Sequence, residues 1–338
     1  MKNATQLYEG TTTRFVSGEI AEPLFLLVIP RSFSSVTCAM IGQHPEMYGL
    51  PEMELFGAQT VGEWWELCAR PSFPTRAHGT LRAVAQLIFG SQTAHTVEMA
   101  KGWLRRRSHF TTGFLLEILA RKVHPRVIVE KSTTNVYDIN FMERAYRMFP
   151  RSRFLHVVRH PRGQAESAMR FLKERQEAGP LPSSNWMIRL ASFPPLRSAG
   201  ANGTAKTTPD LDPQRAWYFL NLNICEFLKS VPDNQKKRIR GEDLLSHPDQ
   251  SLREIASWMG LRIDAQAIEE MKHPERSPYA SFGPPGARFG NDRLFLESPA
   301  LRTDRAKPQS LDGPLSWRLD GEVFSPEVIR LAREFGYA

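Results

Sequence analysis

A short polar segment, Arg31-Ser32-Phe33-Ser34-Ser35, follows the apolar run Leu24–Ile29 and has residue types that bind phosphate. An arginine side chain donates paired, charge-assisted hydrogen bonds to an anion. Serine hydroxyls donate further bonds. A strand that ends in a tight loop and opens a helix also presents backbone N–H groups and the positive end of the helix dipole. Taken alone, the segment is equally typical of an ordinary strand-to-helix turn.

A second segment with the same potential starts at Arg159, directly after the apolar stretch Phe154–Val158. Pro161 is well suited to the first position of a helix, and Ser167 then lies about two turns along it. Arg159 would stand at the carboxyl end of a strand, where open α/β sheets bind ligands. The pair predicts a second anion site, distinct from the one at Arg31.

Four further residues are candidates for catalysis. Lys131 follows the strand-like run Val127–Glu130 and could bring a cation to the same sheet edge. Glu52 and Glu54 follow a second predicted strand end, and His273 precedes the irregular C-terminal segment. Carboxylates and imidazole can take a proton from a hydroxyl group near neutral pH. A surface lysine, surface carboxylates and a loop histidine would have the same sequence signature.

The elements that must position these residues alternate between strands and helices. Predicted strands over Leu24–Ile29, Val127–Glu130 and Phe154–Val158 are each followed by a helical pattern. This alternation predicts an α/β fold, a three-layer sandwich with a central parallel sheet and helices on both faces. Trp64–Arg121 is predicted to be a helical insertion, and Arg238–Leu245 an edge strand.

The 338 residues are expected to form a single domain. Its core should span residues 19–178 and 214–262, with a helix following near the C-terminus. Residues 179–213 are rich in Pro, Gly, Ser and Thr and are predicted to be a mobile loop on the acceptor side. The long irregular segment 273–316 is predicted to cover the cofactor and substrate.

Charge and composition exclude several classes. The net charge of +8 is spread along the chain, without the basic-aromatic clusters of nucleic-acid-binding proteins, so no nucleic-acid partner is expected. No apolar run approaches the roughly 20 residues that span a bilayer. The N-terminus lacks a secretory h-region, and the three cysteines are far apart, so a cytoplasmic location is expected.

Four stretches together resemble the sulfotransferases that use 3′-phosphoadenosine-5′-phosphosulfate (PAPS). Arg31 to Ser35 is similar to the family's [RK]SGTT motif, and Arg159 to Ser167 is similar to its RxP motif with a serine eight residues after the arginine. Glu130-Lys131-Ser132 resembles the DKSP element, and Arg240 to Pro248 resembles the YEDL stretch. A further stretch, Gly283 to Asp292, looks like the adenine-side loop of bacterial members, including domains that sulfonate carrier-protein-linked acyl chains in olefin-forming secondary metabolism.

The resemblance implies a P-loop-like fold and the use of PAPS, released as PAP, with a hydroxyl acceptor on a small molecule or a carrier-protein-bound acyl chain. It implies that Arg31, Ser32, Phe33, Ser34, Ser35 and Val36 bind the 5′-phosphosulfate, and that Arg159 and Ser167 bind the 3′-phosphate. Gly286 and Arg288 would lie on the adenine side. Lys131 would stabilise the leaving group, and Glu52, then Glu54, then His273 are the candidates for the general base.

Two alternatives remain open. Phe33 stands where the family has glycine, which predicts either a locally rebuilt loop or weakened cofactor binding. A non-catalytic PAP-binding relative is therefore one alternative. A kinase-like P-loop phosphotransferase is another, although it would need a Walker lysine and Mg²⁺ ligands that the sequence lacks. No metal is expected, since neither HExxH nor a Cys/His ligand set is present.

Overall fold

The computed structural model describes residues 20–70, 75–177, 194–199, 205–207, 212–306, 308–318 and 321–338. Most of the predicted mobile loop, residues 179–213, lies outside these ranges. The two short pieces of it that are described as strands, Arg197–Ala199 and Ala205–Thr207, pair antiparallel.

The main sheet is parallel throughout its described pairings. Its strands, with the short pair included in the numbering, are β1 Leu24–Val28, β2 Met47–Gly49, β3 Val127–Glu130, β4 Arg153–Val158, β5 Arg197–Ala199, β6 Ala205–Thr207 and β7 Lys236–Arg240. Five of the described strands lie in the order β2-β3-β1-β4-β7. The central strand β1 is therefore flanked by β3 and β4, and the loops after all three strands emerge at the same edge.

Helices cover both faces of this sheet. They are α1 Ser34–Gly42, α2 Val61–Cys68, α3 His78–Phe89, α4 Ala94–Arg105, α5 Thr112–Val123, α6 Ile139–Met148, α7 Pro161–Glu177, α8 Pro213–Lys229, α9 Gly241–Ser246, α10 Pro248–Met259, α11 Ala265–Met271, α12 Arg293–Glu297 and α13 Pro326–Glu334. Short 3₁₀ helices span Thr133–Tyr137, Asp233–Gln235, Pro274–Arg276 and Thr303–Arg305. The predicted helical insertion consists of α2 to α5.

The side chains of β1 divide the core into two layers. Phe25 and Leu27 pack in one apolar cluster with residues of α3, α5 and α8, whereas Leu24, Leu26 and Val28 pack in another with residues of α1, α10 and α11. Successive side chains of a strand point to opposite faces, so a strand covered on both faces needs an unbroken apolar sequence. The predicted three-layer α/β fold with a central parallel sheet is confirmed.

One predicted element is wrong in its extent. The edge strand expected over Arg238–Leu245 ends at Arg240, and Gly241 begins α9. Glu242 and Asp243 lie in the first turn of this helix, where carboxylates interact favourably with the helix dipole. The helical pattern expected after Val127–Glu130 begins as the 3₁₀ turn Thr133–Tyr137, and Asp138 caps α6 by accepting a hydrogen bond from Asn140 N.

No helix within the described ranges is both long and apolar enough to cross a membrane.

Candidate functional site

The loops after β1, β3 and β4 bring the predicted anion-binding residues together. Arg159 Nη1 donates a 2.6 Å hydrogen bond to the carbonyl oxygen of Arg31, and Arg31 Nε donates a 3.2 Å bond to Ser167 Oγ. The two segments therefore share one cavity of about 400 Å³, within the roughly 300–1,000 Å³ range of ligand pockets. All three residues line it, together with Phe33 and the range 34–36.

The loop after β1 has a left-handed backbone at two residues although it contains no glycine. Arg31 has φ 68° and Phe33 has φ 64°, and Phe33 is the N-cap residue of α1. Ser34 and Ser35 follow in the first turn of that helix, whose N-terminus is directed at the cavity they line. The positive end of the helix is therefore available to an anion. Ser32 is buried and does not line the cavity.

The Ser35 hydroxyl is oriented by its two donors. Lys131 Nζ donates to Ser35 Oγ at 2.9 Å, and the backbone N–H of Asp292 donates to the same oxygen at 3.1 Å. A hydroxyl oxygen has two lone pairs and one proton. Because both lone pairs are engaged, the proton of Ser35 is left to donate to a ligand oxygen in the cavity.

Lys131 and Glu52 form an ion pair behind Ser35. The Lys131 side chain is 0% exposed and that of Glu52 is 27% exposed, with 2.7 Å between Nζ and Oε1. Neither residue lines the cavity directly, and Lys131 reaches it through Ser35. The pair places a cation and a carboxylate at one end of the anion site.

A buried network fixes the turn that carries Lys131. The Glu130 carboxylate accepts hydrogen bonds from the backbone and hydroxyl of Ser132 and, at 2.9 Å, from Asn135 Nδ2. Ser132 Oγ in turn accepts a 2.8 Å bond from the backbone N–H of Glu54. Burial raises the pKa of Glu130, and these bonds oppose that rise. The Glu-Lys-Ser stretch thus holds the lysine turn and the Glu54 segment in one arrangement.

Glu54 is a buried carboxyl group on a strained backbone. Its φ is 57°, and Arg76 Nε lies 3.3 Å from its Oε2 atom. Burial raises the pKa of Glu54 to about 7, and the charge of Arg76 opposes that rise. Strained backbone in a buried, polar region is often found at functional sites.

Glu54 should make stability depend on pH. Between pH 4.5 and about 7 the folded protein retains a proton that the unfolded chain releases, so stability falls as pH rises through this window. Glu54→Gln, which does not titrate, should lack this part of the fall, a difference on the order of 2 kcal/mol. Urea unfolding of both proteins across this pH range measures it. Glu66→Gln, at an exposed position of α2, is the control, and parallel curves for wild type and Glu54→Gln would contradict the assignment.

The remaining predicted site residues lie elsewhere. His273 Nδ1 is 2.8 Å from Glu275 Oε1 and Nε2 is 3.5 Å from Glu269, in a partly exposed position. Gly286 is exposed beside α4, and the exposed Arg288 guanidinium lies over the Phe282 ring. None of the three lines the cavity. The structure does not bring them together with Arg31 and Arg159.

The cavity has charged residues that sequence reasoning did not single out. Arg170 lines it three residues after Ser167, a spacing that places both on one face of α7 and could have signalled it. Asp292 forms an ion pair with Arg31, and Arg302 lies in a segment without periodicity that gave no signal. Glu242 also lines the cavity, but its carboxylate accepts hydrogen bonds from His160 N and Tyr337 Oη.

Burial makes Arg159 easier to deprotonate, but its side chain remains charged at neutral pH. The pKa of Arg159 is lowered to about 10, chiefly by burial, while Glu242 raises it. Arg159 therefore keeps its charge at neutral pH and can bind a phosphate. Within the described ranges, no three His, Cys, Asp or Glu side chains form a group that could hold a metal ion.

Comparison with known proteins agrees with this geometry. Residues 23–265 match the model of the sulfotransferase family, which covers both arginine segments and the Lys131 turn. The fold and the cavity define a class of α/β protein that has an arginine-lined cavity at the carboxyl edge of a parallel sheet. The chain belongs to the sulfotransferase family.

Two solved structures have the same fold. A sulfotransferase domain from the curacin biosynthetic pathway is 18% identical, with a TM-score of 0.68 over 95% of this chain and 99% of that one. A sulfotransferase domain from the Synechococcus PCC 7002 olefin synthase is 20% identical, with a TM-score of 0.68 over 94% of this chain and 96% of that one. No curated protein sequence matches the chain significantly.

Proposed function

We propose that the protein transfers the sulfuryl group of PAPS to a hydroxyl acceptor. The observation that carries the proposal is the contact between the two anion segments, in which Arg159 Nη1 bonds to Arg31 O and Arg31 Nε bonds to Ser167 Oγ. A single cavity thus holds Arg31, Arg159, the Ser35 hydroxyl and a helix N-terminus, a donor set that suits a nucleotide with two separate anionic groups.

Different residues would bind the two anionic groups of the nucleotide. Arg31 and residues 34–36, at the N-terminus of α1, would bind the 5′-phosphosulfate. Arg159 and Ser167 would bind the 3′-phosphate. The segment 273–316 is proposed to cover the nucleotide, because Asp292 and Arg302 of that segment line the cavity. The predicted single domain and cytoplasmic location stay predictions.

PAPS would supply the sulfuryl group. The group that leaves is the 5′-phosphate of PAP, which needs no protonation. The acceptor oxygen forms the new S–O bond as the bond to the phosphate oxygen breaks, and the hydroxyl proton passes to a carboxylate. Glu52 is the proposed base, since its exposed fraction gives it access and Lys131 ties it to the Ser35 end of the cavity. Lys131 and Ser35 would stabilise the charge that grows on the leaving oxygen.

The acceptor is proposed to be a hydroxyl group on a small molecule or on a carrier-protein-bound acyl chain. The second class is supported by the two structural neighbours, which come from the curacin pathway and an olefin synthase. Sulfuryl transfer to pooled acceptors of both classes, followed by mass spectrometry, distinguishes them.

Calorimetric titration with PAP and with ATP, in the presence of a chelator, tests the donor. We expect PAP to bind at least about tenfold more tightly than ATP, because a 3′-phosphate gains the Arg159 contact. In a second titration with Mg²⁺ and no chelator, tighter binding of ATP than of PAP would contradict the proposal and favour a phosphotransferase. PAP binding without sulfuryl transfer to any acceptor pool would also contradict it, in favour of a non-catalytic relative.

Asp292→Asn should strengthen PAP binding by about threefold to tenfold. The Asp292 carboxylate is paired with Arg31 and competes with an anionic ligand for that guanidinium. In the wild type, Asp292 caps α12 by accepting a 3.0 Å hydrogen bond from the backbone N–H of Leu294. The side-chain oxygen of asparagine can accept the same bond.

Asp264→Asn is the matched control for this titration. Asp264 also pairs with an arginine and caps a helix, accepting a 3.1 Å bond from Ala267 N, but it lies outside the cavity. Its substitution should leave PAP affinity unchanged. Weaker PAP binding by Asp292→Asn would show that the carboxylate supports the site and does not compete with the nucleotide.

A further inference from the structure

Phe33 stands in the loop after β1, at the position where the [RK]SGTT motif has glycine. Its backbone is left-handed, with φ 64° and ψ 18°, a conformation that bulky residues adopt at an energetic cost. The ring is partly buried and also packs against the apolar cluster that contains Leu24 and Leu26. Contacts made by the ring can offset this cost.

One of these contacts is with the arginine proposed to bind the 3′-phosphate. The guanidinium carbon of Arg159 lies 4.2 Å from the centroid of the Phe33 ring. A cation within about 6 Å of a ring centroid, over its face, is attracted by the π electrons. The same guanidinium donates through Nη1 to Arg31 O, so it is held by the ring and by the loop backbone together.

The space for the ring comes from Gly241, the first residue of α9. A Cβ atom at this position would lie 2.5 Å from Phe33 Cδ2, closer than non-bonded carbon atoms approach. The backbone oxygen of Val158 would be 3.4 Å from the added Cβ atom. Glycine is therefore required at position 241 as long as the Phe33 ring lies where it does. The two residues form a pair across the ends of β1 and β7.

We propose that Phe33 is a positioning residue that acts through Arg159. The ring holds the guanidinium plane in the orientation that meets the 3′-phosphate, and Gly241 is needed because it leaves room for the ring. A planar guanidinium that is stacked before the ligand arrives loses less conformational freedom on binding. The inference rests on the proposed function, since it concerns the 3′-phosphate of the same nucleotide.

The test compares PAP with adenosine 5′-monophosphate, which lacks the 3′-phosphate. Phe33→Leu keeps an apolar side chain but loses the ring, and should weaken PAP binding about fivefold to tenfold with little change for the monophosphate. In an Arg159→Ala background the same substitution should have no effect on the ratio of the two affinities. Phe33→Tyr, which keeps the ring, should retain most of that ratio.

Gly241→Ala provides an independent arm. It should displace the ring and lower the affinity ratio as Phe33→Leu does, whereas in a Phe33→Gly background the added methyl group should be neutral. Trp103→Leu is the matched control, because its ring also lies 4.0 Å from a guanidinium carbon, that of Arg107, but outside the cavity. Thermal melting checks that each variant is folded.

The outcomes separate the inference from the proposed function. If wild-type protein does not prefer PAP to the monophosphate, the proposed function fails. If wild type prefers PAP and Phe33→Leu retains the full preference, the inference fails and the function stands. An equal loss for both nucleotides in Phe33→Leu would also overturn the inference, because it would show that the ring supports the loop as a whole.

Discussion

Replacing Lys131 with methionine is expected to lower sulfuryl transfer about a hundredfold to a thousandfold, the size of effect seen when a charge-stabilising donor is lost. Methionine has a similar length and an apolar end, so it suits a side chain that is 0% exposed. The substitution removes the cation that donates to Ser35 Oγ at 2.9 Å, and with it the positive charge at that end of the cavity. Charge that grows on the leaving oxygen would then lack the buried cation behind Ser35.

The rate of PAP formation from PAPS, with the acceptor pool present, measures this loss. PAP affinity should fall much less than the rate, since Arg31, Arg159 and Ser167 remain. Glu52 is partly exposed and can be hydrated when its partner is removed, so the variant is expected to fold. Lys101→Met, which breaks a 2.6 Å pair with Glu98 outside the cavity, is the matched control and should be fully active.

Two results would contradict the role assigned to Lys131. Unchanged turnover in Lys131→Met would show that the cation does not act on the leaving group. A loss of PAP binding as large as the loss of rate would show that the residue holds the nucleotide equally in the ground state and the transition state.

The parts of the site that follow a buried strand could be predicted from the sequence. β1 and β4 are short, mostly apolar runs that are followed by polar residues, and their parallel pairing places the two ends at one sheet edge. The proximity of Arg31 and Arg159 therefore follows from local patterns and from one topological rule, and the 2.6 Å contact agrees with it. The ion pair of Lys131 with Glu52 joins two further strand ends in the same way.

The parts that depend on long-range packing could not be predicted. Asp292 reaches Arg31 and Ser35 from an irregular segment, where no periodicity indicates which residue faces the cavity. Sequence similarity instead favoured Gly286 and Arg288. Gly286 lies beside α4 and Arg288 lies over the Phe282 ring, and neither lines the cavity.

Phe33 shows the same limit of sequence reasoning. From the sequence, Phe33 predicted either a rebuilt loop or weakened cofactor binding. Whether its ring fits depends on the space at Gly241, which is more than 200 residues away along the chain. The absence of a side chain at Gly241 leaves room for the ring while the backbone of Phe33 is left-handed. A residue that breaks a local rule is therefore explained here by a partner that only the fold reveals.

Glu52→Gln should separate proton transfer from nucleotide binding. The glutamine oxygen can still accept the hydrogen bond from Lys131 Nζ, now 2.7 Å long, so the turn and Ser35 should keep their positions. The amide cannot take the acceptor's proton, and removal of a general base costs typically a hundredfold to ten-thousandfold in rate. We therefore expect turnover to fall by about that factor while PAP affinity changes less than about twofold.

The comparison with the other two candidate bases decides the assignment. Glu54→Gln removes a carboxylate that is buried against Arg76, and His273→Asn removes an imidazole that contacts Glu275 outside the cavity. If Glu52 is the base, both variants should retain far more activity than Glu52→Gln. Retained turnover in Glu52→Gln with a large loss in Glu54→Gln would move the role to Glu54, whose raised pKa of about 7 suits proton transfer near neutral pH. In that case the ion pair of Lys131 with Glu52 would serve only to hold the lysine against Ser35.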